Sequence, residues 1–219
     1  RAAREEGLEV ACLSGFHPAI VDRLAERGVE LHAIEELGRA VIDHVVKLCR
    51  QGVLDGIGEV GRQHYATRPE RVIVANSLME YALNAARDED LVVHLHLENA
   101  GLYTVVTVER LLRRTGVKAH RVLLHHSRGS TLAHAVSRGL TATVPGVEPA
   151  LREAFAGLAP SFLVESDFID DPKRPGVVTY PWNLRSVEER LVAAGIADPE
   201  HLQRVNVDNV VRVYGVRPP

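Results

Sequence analysis

The sequence is poor in cysteine and in aromatic residues, and it has no long apolar segment. Cys12 and Cys49 are the only cysteines among 219 residues, and aromatic residues make up 5%. Two thiols cannot form the disulfide framework of a small secreted domain, so we expect a reducing cytoplasm. The longest apolar runs, such as Val122–Leu124, are far shorter than the roughly 20 residues that cross a bilayer. No signal peptide is visible, and no membrane partner is expected.

A strongly basic balance is absent as well. The formal net charge is −3, which argues against a chain built around a large basic surface for duplex nucleic acid. A nuclease is not excluded, because a bound metal ion can neutralise phosphate locally. Eleven histidines are present, which is a high count. Histidine is a common metal ligand, although most single histidines are surface or core residues.

Short β-branched runs alternate along the chain with longer segments of helical period. The predicted strands are Leu8–Ser14, Asp55–Val60, Leu91–His96, Arg121–His125, Leu140–Val144 and Phe162–Ser166. The predicted helices are Pro18–Arg27, Glu35–Gln51, Pro69–Arg87, Tyr103–Thr115, Ser130–Arg138, Glu148–Gly157, Val187–Ala194 and Pro199–Tyr214.

This strict alternation predicts a parallel sheet covered by helices. Two arrangements satisfy it, a doubly wound open sheet and a (β/α)8 barrel. The first strand is not followed by the glycine-rich fingerprint of the dinucleotide-binding open sheet. Polar residues lie instead at the C-terminal ends of several strands, where TIM-type barrels carry their catalytic groups. The sequence therefore favours an α/β fold of the TIM-type (β/α)8 class.

The predicted barrel is incomplete in these residues. Six strands are expected, whereas a barrel has eight, and the chain opens with Arg1–Gly7, which looks like the tail of a helix. We therefore expect strands 3–8 to be present and the first two strands to lie on an N-terminal segment outside these residues. Residues 1–219 are expected to form a single barrel domain.

Two neighbouring strand ends carry candidate metal ligands. Glu59 stands between glycines, whose backbone can approach another group closely, although a surface glutamate in a glycine-rich turn has the same pattern. His94 and His96 share one face, because side chains of a strand alternate with period two. His96 lies nearer the strand end and is the better ligand, whereas His94 is expected to be a core residue or to support a ligand.

Two later strand ends continue the pattern. Only one of the adjacent His125 and His126 is expected to reach a metal, because neighbouring residues of a strand face opposite ways. Asp167 follows the last strand and suits either metal ligation or general-base duty, and Glu165 lies deeper on the same face. One glutamate, two histidines and one aspartate form a mixed nitrogen and oxygen set, which suits Zn²⁺, Mn²⁺ or another divalent transition ion.

These residues, taken in order, resemble the TatD-type metal-dependent hydrolases, in particular their archaeal TatD-related branch among the amidohydrolase-like barrels. The resemblance covers essentially the whole chain, and the combination of elements is more specific than any one of them. The matching elements are Gly15-Phe16-His17-Pro18, Gly58-Glu59-Val60-Gly61, His96-Leu97-Glu98-Asn99-Ala100, His125-His126-Ser127-Arg128-Gly129, Glu165-Ser166-Asp167 and Asn209-Val210-Val211-Arg212-Val213-Tyr214-Gly215.

The resemblance implies a metal-activated water and one or two divalent ions, of which Zn²⁺, Mn²⁺ and Mg²⁺ are the candidates. By the resemblance, Glu59 ligates or bridges the ions, His96 and His125 bind one ion, and Asp167 binds metal and takes the proton of the water. It also selects His125 over His126. Six further residues are expected to contact substrate or to hold a ligand in place: His17, Arg62, His94, Glu98, His126 and Glu165.

The chain departs from the family at three places. The first-strand His-x-His is absent, Arg62-Gln63-His64 stands where an aspartate is usual, and Glu98 replaces a common arginine. A carboxylate in place of a phosphate-contacting cation weakens the case for nucleic acid as substrate.

Three functions are compatible with the sequence. The first is a TatD-type phosphodiesterase or deoxyribonuclease, the second hydrolyses a small amide, lactone or ester, and the third is a non-catalytic barrel protein. The expected substrate is therefore a small molecule or a single-stranded nucleic acid. The side chains that can contact phosphates or stack on bases, and that can equally belong to solvated or packed loops, are Arg62, His64, Arg68, Arg128, Lys173, Arg174, Tyr65 and Trp182.

Overall fold

The computed structural model describes residues 5–217, so the first four residues of the expected helical segment Arg1–Gly7 lie outside the described part. The strands are β1 (Leu13–Ser14), β2 (Gly56–Gly61), β3 (Val92–His96), β4 (Val122–Leu124), β5 (Thr141–Pro145) and β6 (Leu163–Glu165). The helices are α1 (Pro18–Glu26), α2 (Leu31–Arg50), α3 (Pro69–Glu89), α4 (Leu102–Thr115), α5 (Gly129–Ser137), α6 (Glu148–Gly157), α7 (Asn183–Ala193), α8 (Pro199–Gln203) and α9 (Asn209–Tyr214).

The predicted alternation of strands and helices is confirmed, and several boundaries differ. β1 is limited to the two residues that pair with β2, although the apolar run begins at Leu8, because an apolar run does not reveal how far backbone pairing extends. The helix predicted over Pro199–Tyr214 is divided by a π-helical turn at Arg204–Asp208. Within residues 5–217, no helix is both long and apolar enough to cross a membrane.

The described residues form two compact units, of which the first contains residues 5–98 and 106–123. Its strands β1, β2 and β3 are parallel and lie side by side in chain order. Helices α2 and α3 pack on each other and on β2, and their inner faces carry fully buried side chains. The largest of these are Ile34, Ile42, Leu78, Met79 and Leu83. Burial of this apolar surface is the main favourable contribution to the folding of the unit.

The register between β2 and β3 shifts at the residues that precede the strand end. Ile57 pairs with Val93 and Val60 pairs with Leu95, so that Gly58 and Glu59 together lie opposite His94. One extra residue in a strand forms a bulge, which re-aims the side chains that follow it. The bulge therefore sets the direction in which the Glu59 carboxylate leaves the sheet.

The second unit contains residues 99–105 and 124–217. Its strands β5 and β6 are parallel, and helices α5 and α6 pack against β5. The Asn209 side chain donates hydrogen bonds to the carbonyl oxygens of Pro160 (2.9 Å) and Phe162 (2.8 Å), just before β6. These bonds satisfy buried carbonyls, which explains why an asparagine stands at the start of α9.

Candidate metal centre

The first unit gathers three side chains around the end of β2. The Nδ1 atom of His96 lies 2.9 Å from Oε2 of Glu59, and Nε2 of His17 lies 3.4 Å from the same oxygen. One donor atom from each of the three residues falls within 4.8 Å of the other two. Imidazole nitrogens and carboxylate oxygens are suitable donors for divalent transition ions. Of the three residues, Glu59 and His96 therefore supply a donor set that fits a divalent ion.

His17 supports this cluster in a defined tautomer. Its Nδ1 atom accepts a hydrogen bond from the backbone N–H of Ala19 at 3.1 Å, where it caps helix α1. A neutral imidazole that accepts at Nδ1 carries its proton on Nε2. The Nε2 atom, which lies 3.4 Å from Oε2 of Glu59, therefore carries the proton and has no lone pair to offer a metal.

The glycines on either side of Glu59 permit a close approach between β2 and β3. A Cβ atom added to Gly58 would lie 2.8 Å from the Cβ of His94, and one added to Gly61 would lie 1.9 Å from the carbonyl oxygen of His96. Gly61 also has a φ of +150°, which residues with a side chain rarely adopt. Both positions thus require glycine for His96 to lie beside Glu59.

We expect Gly61→Ala to lower the free energy of unfolding by about 1–3 kcal/mol or more. This is the range for one residue held in a sparsely populated backbone region. The overlap with the carbonyl of His96 adds to this strain. Urea denaturation measures the change. Gly157→Ala is the matched control, because nothing lies within 4 Å of an added Cβ there. A wild-type urea midpoint for Gly61→Ala would contradict the close approach.

Arg62 and Glu98 form a bidentate ion pair beside the cluster. The Nε and Nη2 atoms of Arg62 donate to the two carboxylate oxygens of Glu98 at 2.9 and 2.7 Å, and Nη2 also donates to Thr107 at 3.1 Å. Only 12% of the Arg62 side chain is exposed. This two-pronged geometry is the strong form of an arginine–carboxylate pair. The guanidinium is therefore held by Glu98, and its role toward substrate stays a prediction.

The second unit holds a second pair of candidate ligands. The Nδ1 atom of His125 lies 2.7 Å from Oε2 of Glu165, and its Nε2 atom lies 3.3 Å from Oδ1 of Asp167. Both ring nitrogens face a carboxylate, but only the shorter contact, from Nδ1 to Glu165, is a hydrogen bond, so Nδ1 carries the proton of the neutral ring and Nε2 the lone pair. A carboxylate behind a histidine fixes the ring and raises its basicity as a ligand. The arrangement presents Nε2 of His125 and Oδ1 of Asp167 as a pair of donors.

A backbone hydrogen bond and two left-handed residues shape the chain around His125 and Asp167. The N–H of His126 donates to Oε1 of Glu165 at 2.9 Å, so Glu165 bridges two consecutive residues. His126 and Asp167 adopt φ values of +44° and +49°. Left-handed backbone at non-glycine residues is uncommon and concentrates at functional sites.

Burial, followed by the charge of Glu165, raises the pKa of the Tyr214 hydroxyl, which therefore stays protonated.

The expectation that His125 and His126 face opposite ways is wrong. β4 ends at Leu124, so strand alternation does not extend to these residues. His126 has a φ of +44°, outside the strand region, and the centroids of the two rings lie only 4.7 Å apart. Both histidines are buried, and which of them binds a metal stays a prediction.

His64, which the sequence suggests only as a contact to phosphate, joins the first cluster. Its Nδ1 atom lies 2.8 Å from Nε2 of His96, and it stands on the loop that follows β2. A histidine shortly after the strand end that carries Glu59 is the signal that could have identified it. His94 lies on β3 beside Gly58, and its role also stays a prediction.

Comparisons with known proteins place the chain in a family. The family described as TatD-related DNase matches residues 1–215. The uncharacterized protein MJ1127 of Methanocaldococcus jannaschii is 26% identical over 206 residues, which cover 92% of this chain and 71% of that protein.

Solved structures show the fold. The TatD homologue YjjV of Escherichia coli K12 has a TM-score of 0.67 and 19% identity, covering 94% of this chain and 76% of its own. The phosphotriesterase homology protein of Escherichia coli, complexed with phosphate in its active site, has a TM-score of 0.69 and 14% identity, covering 97% and 77%. The organophosphorus hydrolase of Deinococcus radiodurans has a TM-score of 0.67 and 15% identity, covering 97% and 72%.

The α/β architecture is thus that of a TIM-type barrel, and the expectation that strands 3–8 are present is consistent with these coverages. The family match agrees with the imidazole and carboxylate clusters at the ends of β2 and β6. The chain belongs to the TatD-related DNase family and is a metal-dependent hydrolase.

Proposed function

We propose that this enzyme hydrolyses phosphodiester bonds of single-stranded DNA. The observation that carries the proposal is the pairing of an imidazole with a carboxylate in both clusters, His96 with Glu59 and His125 with Asp167. The DNase description of the family and the phosphate named in the active site of one structural neighbour support the same chemistry.

The proposed ligands are Glu59, His96, His125 and Asp167, and the proposed cofactor is one or two divalent ions. The mixed nitrogen and oxygen donors favour Zn²⁺ or Mn²⁺ over Mg²⁺, which prefers oxygen ligands. An ion held by either imidazole–carboxylate pair would supply a Lewis acid that lowers the pKa of water and stabilises charge on phosphoryl oxygens.

Within each unit, neighbouring side chains fix the protonation and the orientation of the proposed ligands. Asp167 is the proposed general base, and its carboxylate takes the proton of the attacking water. Glu165 holds the proton on Nδ1 of His125, which keeps Nε2 available as a ligand. The Nε2 atom of His17 lies 3.4 Å from Oε2 of Glu59, and this contact is proposed to help hold the carboxylate in place.

A group of three aromatic side chains, Phe168, Tyr180 and Trp182, favours single-stranded nucleic acid as the substrate. Phe168 directly follows Asp167, and its ring centroid lies 5.3 Å from that of Tyr180. The Tyr180 and Trp182 rings are stacked at 4.6 Å with an interplanar angle of 15°. Trp182 is 70% exposed, which is unusual for the largest apolar side chain. An exposed ring stacked on a second ring offers a platform for a nucleobase.

We expect the metal-loaded protein to shorten an end-labelled single-stranded oligonucleotide and to stop when a chelator is added. A panel of lactones, esters and amides is assayed in parallel. Turnover of a lactone, ester or amide without cleavage of DNA would favour the small-molecule alternative. Metal-loaded protein with neither activity would favour a non-catalytic barrel.

We expect Trp182→Leu to weaken binding of the oligonucleotide by roughly 5- to 100-fold, the range for loss of one base–aromatic stack. Trp182→Phe keeps a ring and is expected to retain most of the affinity. Fluorescence anisotropy of a labelled oligonucleotide measures both variants. Trp182 is the only tryptophan, so its intrinsic emission also reports binding by the wild-type protein.

The control for this experiment is an abasic oligonucleotide, which keeps the phosphates and removes the bases. It is expected to bind the wild-type protein and Trp182→Leu equally. If Trp182→Leu weakens both ligands equally, the aromatic group does not stack on bases.

The two cysteines favour the reducing cytoplasm as the compartment of the enzyme.

A further inference from the structure

His64 and His96 bring two ring nitrogens together at the end of β2. The Nδ1 atom of His64 lies 2.8 Å from Nε2 of His96, and the ring centroids are 4.7 Å apart with a tilt of 33°. The two residues differ in burial, because His96 is 6% exposed and His64 is an exposed loop residue. The ring of the exposed His64 therefore contacts a ring nitrogen of the buried His96.

The loop around His64 is anchored on both sides of that residue. Gln63 donates to the carboxylate of Asp22 at 2.8 Å, and Tyr65 donates to the same oxygen at 3.0 Å. The Thr67 hydroxyl forms a third hydrogen bond to this carboxylate. Asp22 itself is 6% exposed and lies on helix α1. The residue between Gln63 and Tyr65 is therefore held in place by a buried anchor.

The tautomer of His96 decides which of its nitrogens is available to a metal. Nδ1 lies 2.9 Å from Oε2 of Glu59, and a carboxylate oxygen accepts the proton on that nitrogen. The lone pair of His96 is therefore on Nε2, the nitrogen that faces His64. A metal bound by His96 would lie on the side of the ring where His64 stands.

We propose that His64 is a further ligand of the divalent ion and binds it through Nδ1, next to Nε2 of His96. The inference rests on the proposed function, because it requires His96 to be a ligand. Two imidazole nitrogens on one tetrahedral zinc ion lie roughly 3.3 Å apart, given zinc–nitrogen bonds of about 2.0–2.1 Å. The observed 2.8 Å is a hydrogen-bond distance, in which Nδ1 of His64 donates to the lone pair on Nε2 of His96. An ion bound by both nitrogens would take the place of that proton, which would move to Nε2 of His64, and would widen the separation by about 0.5 Å.

The test compares His64→Ala with His44→Ala in the full-length protein. His44 is an exposed histidine on helix α2 that belongs to neither cluster, and it serves as the control. The dissociation constant for Zn²⁺ is measured by competition with a chelator, and the absorption spectrum of the Co²⁺-loaded protein reports the donor set. Loss of an outer partner of a metal ligand already weakens binding by about 10- to 100-fold.

We therefore expect His64→Ala to raise the dissociation constant by at least about tenfold and to change the Co²⁺ spectrum. His44→Ala is expected to change neither. An unchanged dissociation constant for His64→Ala overturns the assignment. A raised constant with an unchanged Co²⁺ spectrum also overturns it, because His64 would then act only by positioning His96.

His96→Ala separates this inference from the proposed function. If His96→Ala loses the metal and His64→Ala keeps it at wild-type affinity, His64 is not a ligand and the proposed centre stands. If both variants keep the metal at wild-type affinity, the proposed centre fails together with the inference.

Discussion

Replacement of Asp167 with asparagine is expected to lower kcat by about 10²- to 10⁴-fold, the usual contribution of a general base. Asparagine has nearly the same shape and still offers an oxygen, but it cannot take a proton and carries no charge. The Asp167 carboxylate is well placed for this role, because Oδ1 lies 3.3 Å from Nε2 of His125. Its left-handed backbone, with a φ of +49°, is also more readily adopted by aspartate and asparagine than by most residues.

The measurement is the rate of oligonucleotide cleavage at saturating metal, with the bound metal quantified in the same samples. Metal content distinguishes a lost ligand from a lost base. Asp170→Asn is the matched control, because Asp170 is an exposed carboxylate on the same loop. Its kcat is expected to stay within about twofold of the wild-type value, as for a surface substitution away from the site. A fully metal-loaded Asp167→Asn protein with a wild-type kcat would show that another group takes the proton.

The fold was largely predictable because its signal is local. Alternating apolar runs and helical periods located all six strands and the long helices, and Pro69 begins α3 as expected for a first-turn proline. Gly116 and Gly139 end their helices in the left-handed conformation, with φ values of +76° and +70°. Strand lengths were less predictable, because β1 extends only as far as its pairing with β2.

The surroundings of the candidate site were less predictable, because long-range contacts position them. His64 reaches His96 through a loop whose anchor, Asp22, lies 41 and 43 residues before Gln63 and Tyr65. Such a contact leaves no periodic pattern in the sequence. The direction of Glu59 depends on a bulge opposite His94, and the bulge is visible only in the register of the two strands.

Asp22→Ala is expected to cause a large loss of stability. The Asp22 side chain is 8% exposed, and it accepts hydrogen bonds from Gln63 (2.8 Å), Tyr65 (3.0 Å) and Arg71 (3.2 Å) in addition to Thr67. The alanine variant leaves these donors without their shared acceptor. Burial and the bond to Asp22 raise the pKa of Tyr65 to about 12, so its hydroxyl remains a donor.

We expect this variant to lower the free energy of unfolding by roughly 3 kcal/mol, the lower end of the range for breaking a buried pair. The lower end applies because Arg71 keeps its contact with Glu26 at 3.3 Å. Glu26→Ala is the matched control. Glu26 is 65% exposed, and loss of an exposed partner is expected to change stability by less than about 1 kcal/mol. Equal losses in the two variants would contradict the central role of Asp22.

The effect is expected to depend on pH in one direction. Burial raises the pKa of Asp22, but the hydrogen bonds from Thr67, Gln63, Tyr65 and Arg71 outweigh it, and the pKa in the folded protein lies below the usual 3.8. The stabilisation is therefore fully present above about pH 5, where the unfolded-state carboxyl is also ionised, and is lost as the pH falls through the folded-state pKa. Urea denaturation at pH 7, 5 and 3 should show a constant difference between wild type and Asp22→Ala at the two higher values and a smaller one at the lowest. A difference that stays constant down to pH 3 would mean that the hydrogen bonds do not depend on the charge of Asp22.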